Sequence, residues 1–174
     1  CASCDGNFFK GKVAAVVGGG DAAAEDALYL AKICSKVYVV HRRDSLRAQD
    51  IVQKRLFAMP NVEMVWDSVV EDILGADKVE SLLIKDVNGG TVRKLATDSV
   101  FVAIGQVPNT GLFAKEVALA DTGHIIVDRE MRTNVPGVFA AGDVTVKPLR
   151  QVVTAVSDGA VASYSAIKYI STEF

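Results

Sequence analysis

Apolar positions along this chain fall into short β-branched runs, interrupted by one stretch rich in alanine and leucine, and that alternation sets the order of elements. Residues 12–17 are an apolar run that ends in Gly18-Gly19-Gly20, which predicts a buried strand feeding a tight turn. Residues 22–33 contain no proline or glycine and are dominated by alanine and leucine, so they predict a helix. Residues 36–40, Lys-Val-Tyr-Val-Val, are short and β-branched and predict a second strand. Strand, glycine turn, helix and strand within about 30 residues make a βαβ unit, whose parallel pairing requires a right-handed crossover.

Asp44 or Ser45 is placed to cap a further helix running toward Ala58 and stopping before Pro60. Residues 62–66 predict a third strand, and residues 79–87 and 91–95 flank Asn88-Gly89-Gly90, a strong hairpin signal. Residues 100–104 predict another buried strand closing at Gly105. The character then changes: 107–111 reads as a loop, 124–127 and 138–141 as short strands around Pro136-Gly137, and 150–171 as a long helix despite Gly159. The change near residues 99–106 predicts an α/β, Rossmann-like domain over residues 1–103, followed by a smaller region over 104–174.

Composition narrows the function classes. Half of the 174 residues are hydrophobic, 23% are charged and the net charge is −2. That describes an ordered globular chain without the electrostatic footprint of a nucleic-acid or membrane-surface binder. No stretch reaches the roughly 20 apolar residues that a membrane span needs, and no signal peptide is visible. The first residue is Cys, not Met, which gives the expectation of a piece of something longer. Three cysteines are too few for a disulfide-stapled secreted scaffold, so the expected compartment is the cytoplasm.

Two motifs carry chemistry. Gly18-x-Gly20-x-x-Ala23 has the form of a dinucleotide fingerprint. Gly18 permits the sharp turn, Gly20 lets the backbone approach a pyrophosphate, and Ala23 lets the helix pack closely. Asp21 and Ala22 open the helix, whose free N–H groups and dipole suit phosphate. A plain glycine turn is the bland alternative. At the end of the second strand, where an NAD site carries an acid, the chain has His41-Arg42-Arg43 and then Arg47. Cations there would hold a 2′-phosphate by charge-assisted hydrogen bonds, against the alternative of a solvated basic edge. The cofactor expected is therefore NADPH.

The second motif is Cys1-x-x-Cys4, followed by Asp5. A zinc site would have to recruit from Cys34, His41 and His124, and inert thiols are a further alternative. A redox pair is the favoured reading, because one thiolate can attack an incoming disulfide and the other can resolve the mixed disulfide. Asp5 could shuttle the proton or simply start the Asp5-Gly6 turn. Ala140-Ala141-Gly142-Asp143 places an acid where it could accept hydrogen bonds from a cofactor's hydroxyls, and a helix starting near Arg150-Gln151 could aim its N-terminus at an electron-rich ring.

In order, Cys1-Ala2-Ser3-Cys4-Asp5-Gly6, Gly18-Gly19-Gly20-Asp21, Val40-His41-Arg42-Arg43-Asp44, Gly105-x-x-Pro108-Asn109-Thr110 and Pro136-Gly137-Val138-Phe139-Ala140-Ala141-Gly142-Asp143 closely resemble low-molecular-weight thioredoxin reductases. The resemblance covers essentially the whole chain. It implies an NADPH-binding domain carrying the redox pair, then the C-terminal part of an FAD-binding domain. It implies that electrons pass from NADPH through FAD to the Cys1–Cys4 disulfide and on to thioredoxin. By the same resemblance Cys4 faces the flavin, Cys1 attacks thioredoxin and Asp5 moves the proton. Arg42, Arg43 and Arg47, with His41 beside them, hold the 2′-phosphate; Asp143 and Arg150-Gln151-Val152 lie along the flavin. A homodimer is implied as well. The family's first glycine fingerprint, for the FAD adenosine diphosphate, has no counterpart here, so the chain is expected to bind FAD weakly or not at all by itself. The alternatives are a non-catalytic NADP-binding module, a reductase of the alkyl-hydroperoxide type, which prefers NADH, and a ferredoxin-linked reductase.

Overall fold

A computed structural model describes residues 1–173. The chain divides into two compact units, Cys1–Gly105 and Gln106–Phe174.

The first unit is built on the βαβ element. Strand β1 (Val13–Val17) leads through the glycines into helix α2 (Asp21–Ala31), and strand β2 (Lys36–Val40) returns parallel to β1, with Val13 opposite Lys36 and Val17 opposite Val40. Helix α3 (Asp50–Phe57) connects β2 to β3 (Val62–Val65), and β7 (Ser99–Val102) pairs on the far side of β1. The parallel sheet has the order β3-β2-β1-β7. Between β3 and β7 the chain makes an antiparallel sheet of β4 (Ser68–Leu74), β5 (Ser81–Asp86) and β6 (Val92–Ala96), with a bulge between Val70 and Asp72.

The parallel sheet is covered on both faces, which explains why its strands are continuous apolar runs. Along β1, Ala14 and Val16 pack with Ala23, Ala27, Leu30 and Leu56 of the helices. Ala15, from the opposite face, packs with Val40 and with Leu82, Ile84 and Leu95 of the antiparallel sheet. The unit thus has three layers: helices, parallel sheet, antiparallel sheet. Before β1, a single helical turn α1 (Ala2–Asp5) and a 3-10 turn (Gly6–Phe9) pack against α2.

Three expectations are corrected in this unit. The helix expected from Asp44 or Ser45 begins only at Asp50, because the preceding backbone is engaged elsewhere, as described below. Strand β4 was not expected. The hairpin's first strand starts at Ser81, two residues later than its apolar pattern indicated.

The second unit consists of loops, two 3-10 turns (Gly111–Phe113 and Gly142–Val144) and helix α4 (Val152–Glu173). The strands expected at 124–127 and 138–141 are only single bridges: Ile125 with Leu119 and with Thr145, and Arg132 with Phe139. Turn chemistry stops them from extending. The Asp128 carboxylate accepts the N–H groups of Glu130 and Arg132, and Met131 takes a left-handed backbone with φ +61°. Arg150 and Gln151 precede α4 instead of opening it. No helix among the described residues is long and apolar enough to cross a membrane.

Candidate functional site

The glycine turn is shaped by its surroundings. Gly18 has φ +153°, and a Cβ there would press on the Ala103 carbonyl and lie 2.8 Å from the Ala23 Cβ. A Cβ at Gly19 would collide with the His41 imidazole. Gly20, the N-cap of α2 with φ −95°, faces open space. Its conformation suits any residue, so only a ligand's close approach would require glycine there.

The segment after β2 folds back onto this turn. The Arg47 N–H donates to the Gly19 carbonyl at 2.7 Å, and the Gln49 N–H donates to the Asp21 carboxylate at 2.8 Å. These donors are committed to tertiary acceptors, which is why residues 44–49 do not join α3. Asp21 therefore ties the loop that carries Arg47 to the start of α2.

A cavity of about 480 Å³ opens over the turn, walled on one side by Gly18, Gly19, His41, Arg42 and Arg47. The other wall is apolar: Val69, Val70 and Ile73 of β4, with Val100, Val102 and Ile104 from β7 and its end. Sequence reasoning missed this second wall. His41 is only 6% exposed, and its Nε2 has no hydrogen-bond partner. Burial pushes the imidazole pKa down, the Arg43, Arg47 and Arg42 guanidinium groups push the same way, and a hydrogen bond to the Ser45 backbone opposes them. The ring is thus neutral at neutral pH, and it meets Trp66 edge-on at 6.4 Å. Arg43, exposed, lies outside the cavity wall, and its carbonyl accepts the Asp67 N–H at 3.3 Å. Asp21 and Ala22 are also exposed beside the cavity's glycines without lining it.

The cysteine pair sits on the same unit. Cys1 and Cys4 form a disulfide with Cα atoms 5.3 Å apart, and the Cys1 carbonyl accepts the N–H groups of Cys4 and Asp5 at 3.1 and 3.0 Å. Asp5 is exposed, whereas Ala2, inside the disulfide loop, is fully buried. Phe9 anchors the following turn by an edge-to-face contact with Phe101 at 5.9 Å. Cys34 is buried and donates to the Phe9 carbonyl; burial, with help from Asp98, pushes its thiol pKa up. It is a packing residue, unlike the exposed Cys1 and Cys4.

In the second unit, Asp143 lies in the 3-10 turn after Gly142, which has φ +81°. The Arg150 Nε donates to the Asp143 carbonyl at 3.2 Å, the Gln151 N–H donates to Thr154 Oγ1 at 3.1 Å, and Val152 at the head of α4 is exposed. Asp158, which sequence reasoning did not single out, staples this turn to α4. It accepts the Gly142 N–H at 3.0 Å and forms a largely buried ion pair with Lys147. The Lys147 hydrogen bond holds the Asp158 carboxyl below the ordinary carboxylate range, the Gly142 N–H adds to this, and burial opposes it. A depressed carboxylate stabilises the fold above its unfolded pKa, near 3.8, and that stabilisation is lost as pH falls through the folded value. Asp158→Asn is therefore expected to lower the melting temperature at neutral pH and to flatten its decline in acid, as followed by circular dichroism of α4.

The chain is similar to known proteins along nearly its whole length. A thioredoxin reductase of Treponema pallidum is 48% identical over 172 residues, which cover 99% of this chain and 56% of that protein. One from Peptoclostridium acidaminophilum is 47% identical, covering 100% of this chain and 57% of its own length. The crystal structure of thioredoxin reductase from Streptococcus pyogenes superposes with a TM-score of 0.90 at 48% identity, over 99% of this chain and 56% of that one. The chain thus spans little more than half the length of these relatives. The family described as pyridine nucleotide-disulphide oxidoreductase matches residues 1–159, and the chain belongs to it.

Proposed function

We propose that the chain carries the NADPH-binding and disulfide-bearing part of a thioredoxin reductase, with a share of its FAD site. The observation that carries this reading is the joint presence, in one 105-residue unit, of an exposed Cys-x-x-Cys disulfide and a glycine-turn cavity with two arginines on its polar wall. The open face of Gly20 and the N-terminus of α2 would receive the pyrophosphate. Arg42 and Arg47 would pair with the 2′-phosphate, with Arg43 screening it from outside the wall. Neutral His41 would form part of the polar wall, with its imidazole packed against Gly19. The apolar wall from β4 and β7 suits the flat face of the adenine.

FAD, when bound, supplies the two-electron relay between nicotinamide and disulfide. The glycine-requiring turn at Gly142, stapled by Asp158, fits a cofactor passing close to the backbone, and Asp143, Arg150, Gln151 and Val152 would hold it. Cys4 would receive the electrons, the Cys1 thiolate would attack oxidised thioredoxin, and Cys4 would resolve the mixed disulfide while Asp5 carries the proton. The balance is NADPH, a proton and a disulfide giving NADP⁺ and a dithiol. The proposal extends to a cytoplasmic homodimer.

The test is NADPH-driven reduction of oxidised thioredoxin by the complete gene product, with Cys4→Ser as control. Turnover with NADPH that Cys4→Ser abolishes supports the reading. A preference for NADH would instead favour a reductase of the hydroperoxide type, because Arg42 and Arg47 would then have no phosphate to hold.

A further inference from the structure

Asp21 belongs to the glycine motif in sequence, yet it does not line the cavity over the turn, whereas Arg47 does. Its carboxylate has another partner: Oδ1 accepts the Gln49 N–H at 2.8 Å, 28 residues along the chain. Two residues earlier in the same loop, the Arg47 N–H donates to the Gly19 carbonyl at 2.7 Å. Leu46 and Ala48, on either side of Arg47, are buried in the cluster that holds Ala23 and Ala24 of α2. The segment is thus buried at 46, exposed at 47 and buried at 48, which leaves the Arg47 side chain to the cavity wall. Packing sets how deeply the loop sits. Hydrogen bonds have direction, so these two fix where the loop lies against the start of α2.

We propose that Asp21 is a positioning residue for nucleotide selectivity: by holding the Gln49 N–H it keeps Arg47 aimed at the 2′-phosphate, and so favours NADP(H) over NAD(H). The proposal rests on the reading of this cavity as an NADPH site. The chemistry of the residue fits the task. A carboxylate accepts a backbone N–H more strongly than a neutral oxygen does. Asp21 is also the first residue of α2, where the helix dipole favours a negative charge. A negative charge beside a phosphate site has a cost, but that cost falls on the pyrophosphate, which NADP(H) and NAD(H) share. It changes the affinity for both and leaves their ratio alone. The staple acts on Arg47, which only the 2′-phosphate engages, so it sets the ratio. Selectivity and overall affinity are thereby divided between two properties of one side chain, its acceptor oxygen and its charge.

The test is calorimetric titration of the complete gene product with NADP⁺ and with NAD⁺, oxidised forms that bind without donating a hydride. Asp21→Ala should lower the ratio of NADP⁺ to NAD⁺ affinity by about threefold to tenfold, the worth of one exposed hydrogen bond, because Arg47 keeps its charge and loses its aim. Asp21→Asn keeps a carbonyl oxygen for the Gln49 N–H, so its ratio should stay within about twofold of the original. In an Arg47→Ala background, Asp21→Ala should change the ratio by less than about twofold, since the residue through which it acts is gone. An unchanged ratio in Asp21→Ala overturns the proposal. So do equal losses for both nucleotides, which would reduce Asp21 to general support of α2, and a fall in the ratio that is the same with and without Arg47. Failure of the NADPH reading would look different: the unmodified protein would show no preference for NADP⁺, and the proposal would fall with the reading on which it rests.

Discussion

Replacing Arg42 and Arg47 together by alanine is expected to weaken NADPH binding by about 10²–10⁴-fold while changing NADH binding less than about threefold. Hydrogen bonds to charged groups contribute about 1.5–3 kcal/mol each, so two lost guanidinium contacts to a 2′-phosphate amount to about 3–6 kcal/mol, at 1.4 kcal/mol per decade of affinity. Both side chains are exposed, which favours the lower half of that range and makes the effect shrink as salt is raised. The contrast with NADH, which lacks the phosphate, isolates the charge contacts from any disturbance of the fold. Arg43→Ala should cost less than Arg42→Ala, since Arg43 lies outside the cavity wall. The measurement is a fluorescence titration of the purified chain with each nucleotide at two ionic strengths. Equal losses for NADPH and NADH would show that the arginines shape the loop and do not read the phosphate.

How much of this was legible beforehand depended on whether the deciding contact was local. The βαβ element could be read because β1, α2 and β2 each bury their own apolar runs, and because three glycines separate the first two. The hairpin could be read from Asn88-Gly89-Gly90. Strand β4 escaped because the turn that starts it uses Asp67, with φ +47°, and no glycine or proline marks the spot. Its exposed Glu71 and Asp72 at the bulge also break the apolar alternation. With β4 missing, one wall of the cavity over the glycine turn was invisible, although its basic side was plain from Arg42 and Arg47. The late start of α3 was equally hidden, since it depends on the Gly19 carbonyl and the Asp21 carboxylate capturing N–H groups far along the chain.

Gly18 and Gly20 belong to one motif, yet alanine at each should fail in a different way. Gly18→Ala is expected to destabilise the first unit by about 2–6 kcal/mol. The new Cβ meets the Ala103 backbone and the Ala23 Cβ, neither of which can yield: Ala103 continues β7 beside β1, and Ala23 is fully buried in the first turn of α2. Overpacking a core costs about 1–3 kcal/mol, and holding a non-glycine residue at a φ that side chains rarely adopt adds a similar amount. Gly20→Ala meets nothing, and its φ of −95° is ordinary. The poorer N-cap is offset by reduced freedom of the unfolded chain, so the net change should stay within about 0.5 kcal/mol. That variant should nevertheless lose NADPH affinity, by about tenfold or more, if the pyrophosphate packs against the bare Cα, since even one misplaced hydrogen bond to a charged group costs about 1.5 kcal/mol. Urea denaturation and nucleotide titration of both variants separate the two roles. A Gly20→Ala chain that is stable and still binds NADPH as tightly as the original would mean that the open face of the turn is not where the nucleotide lies.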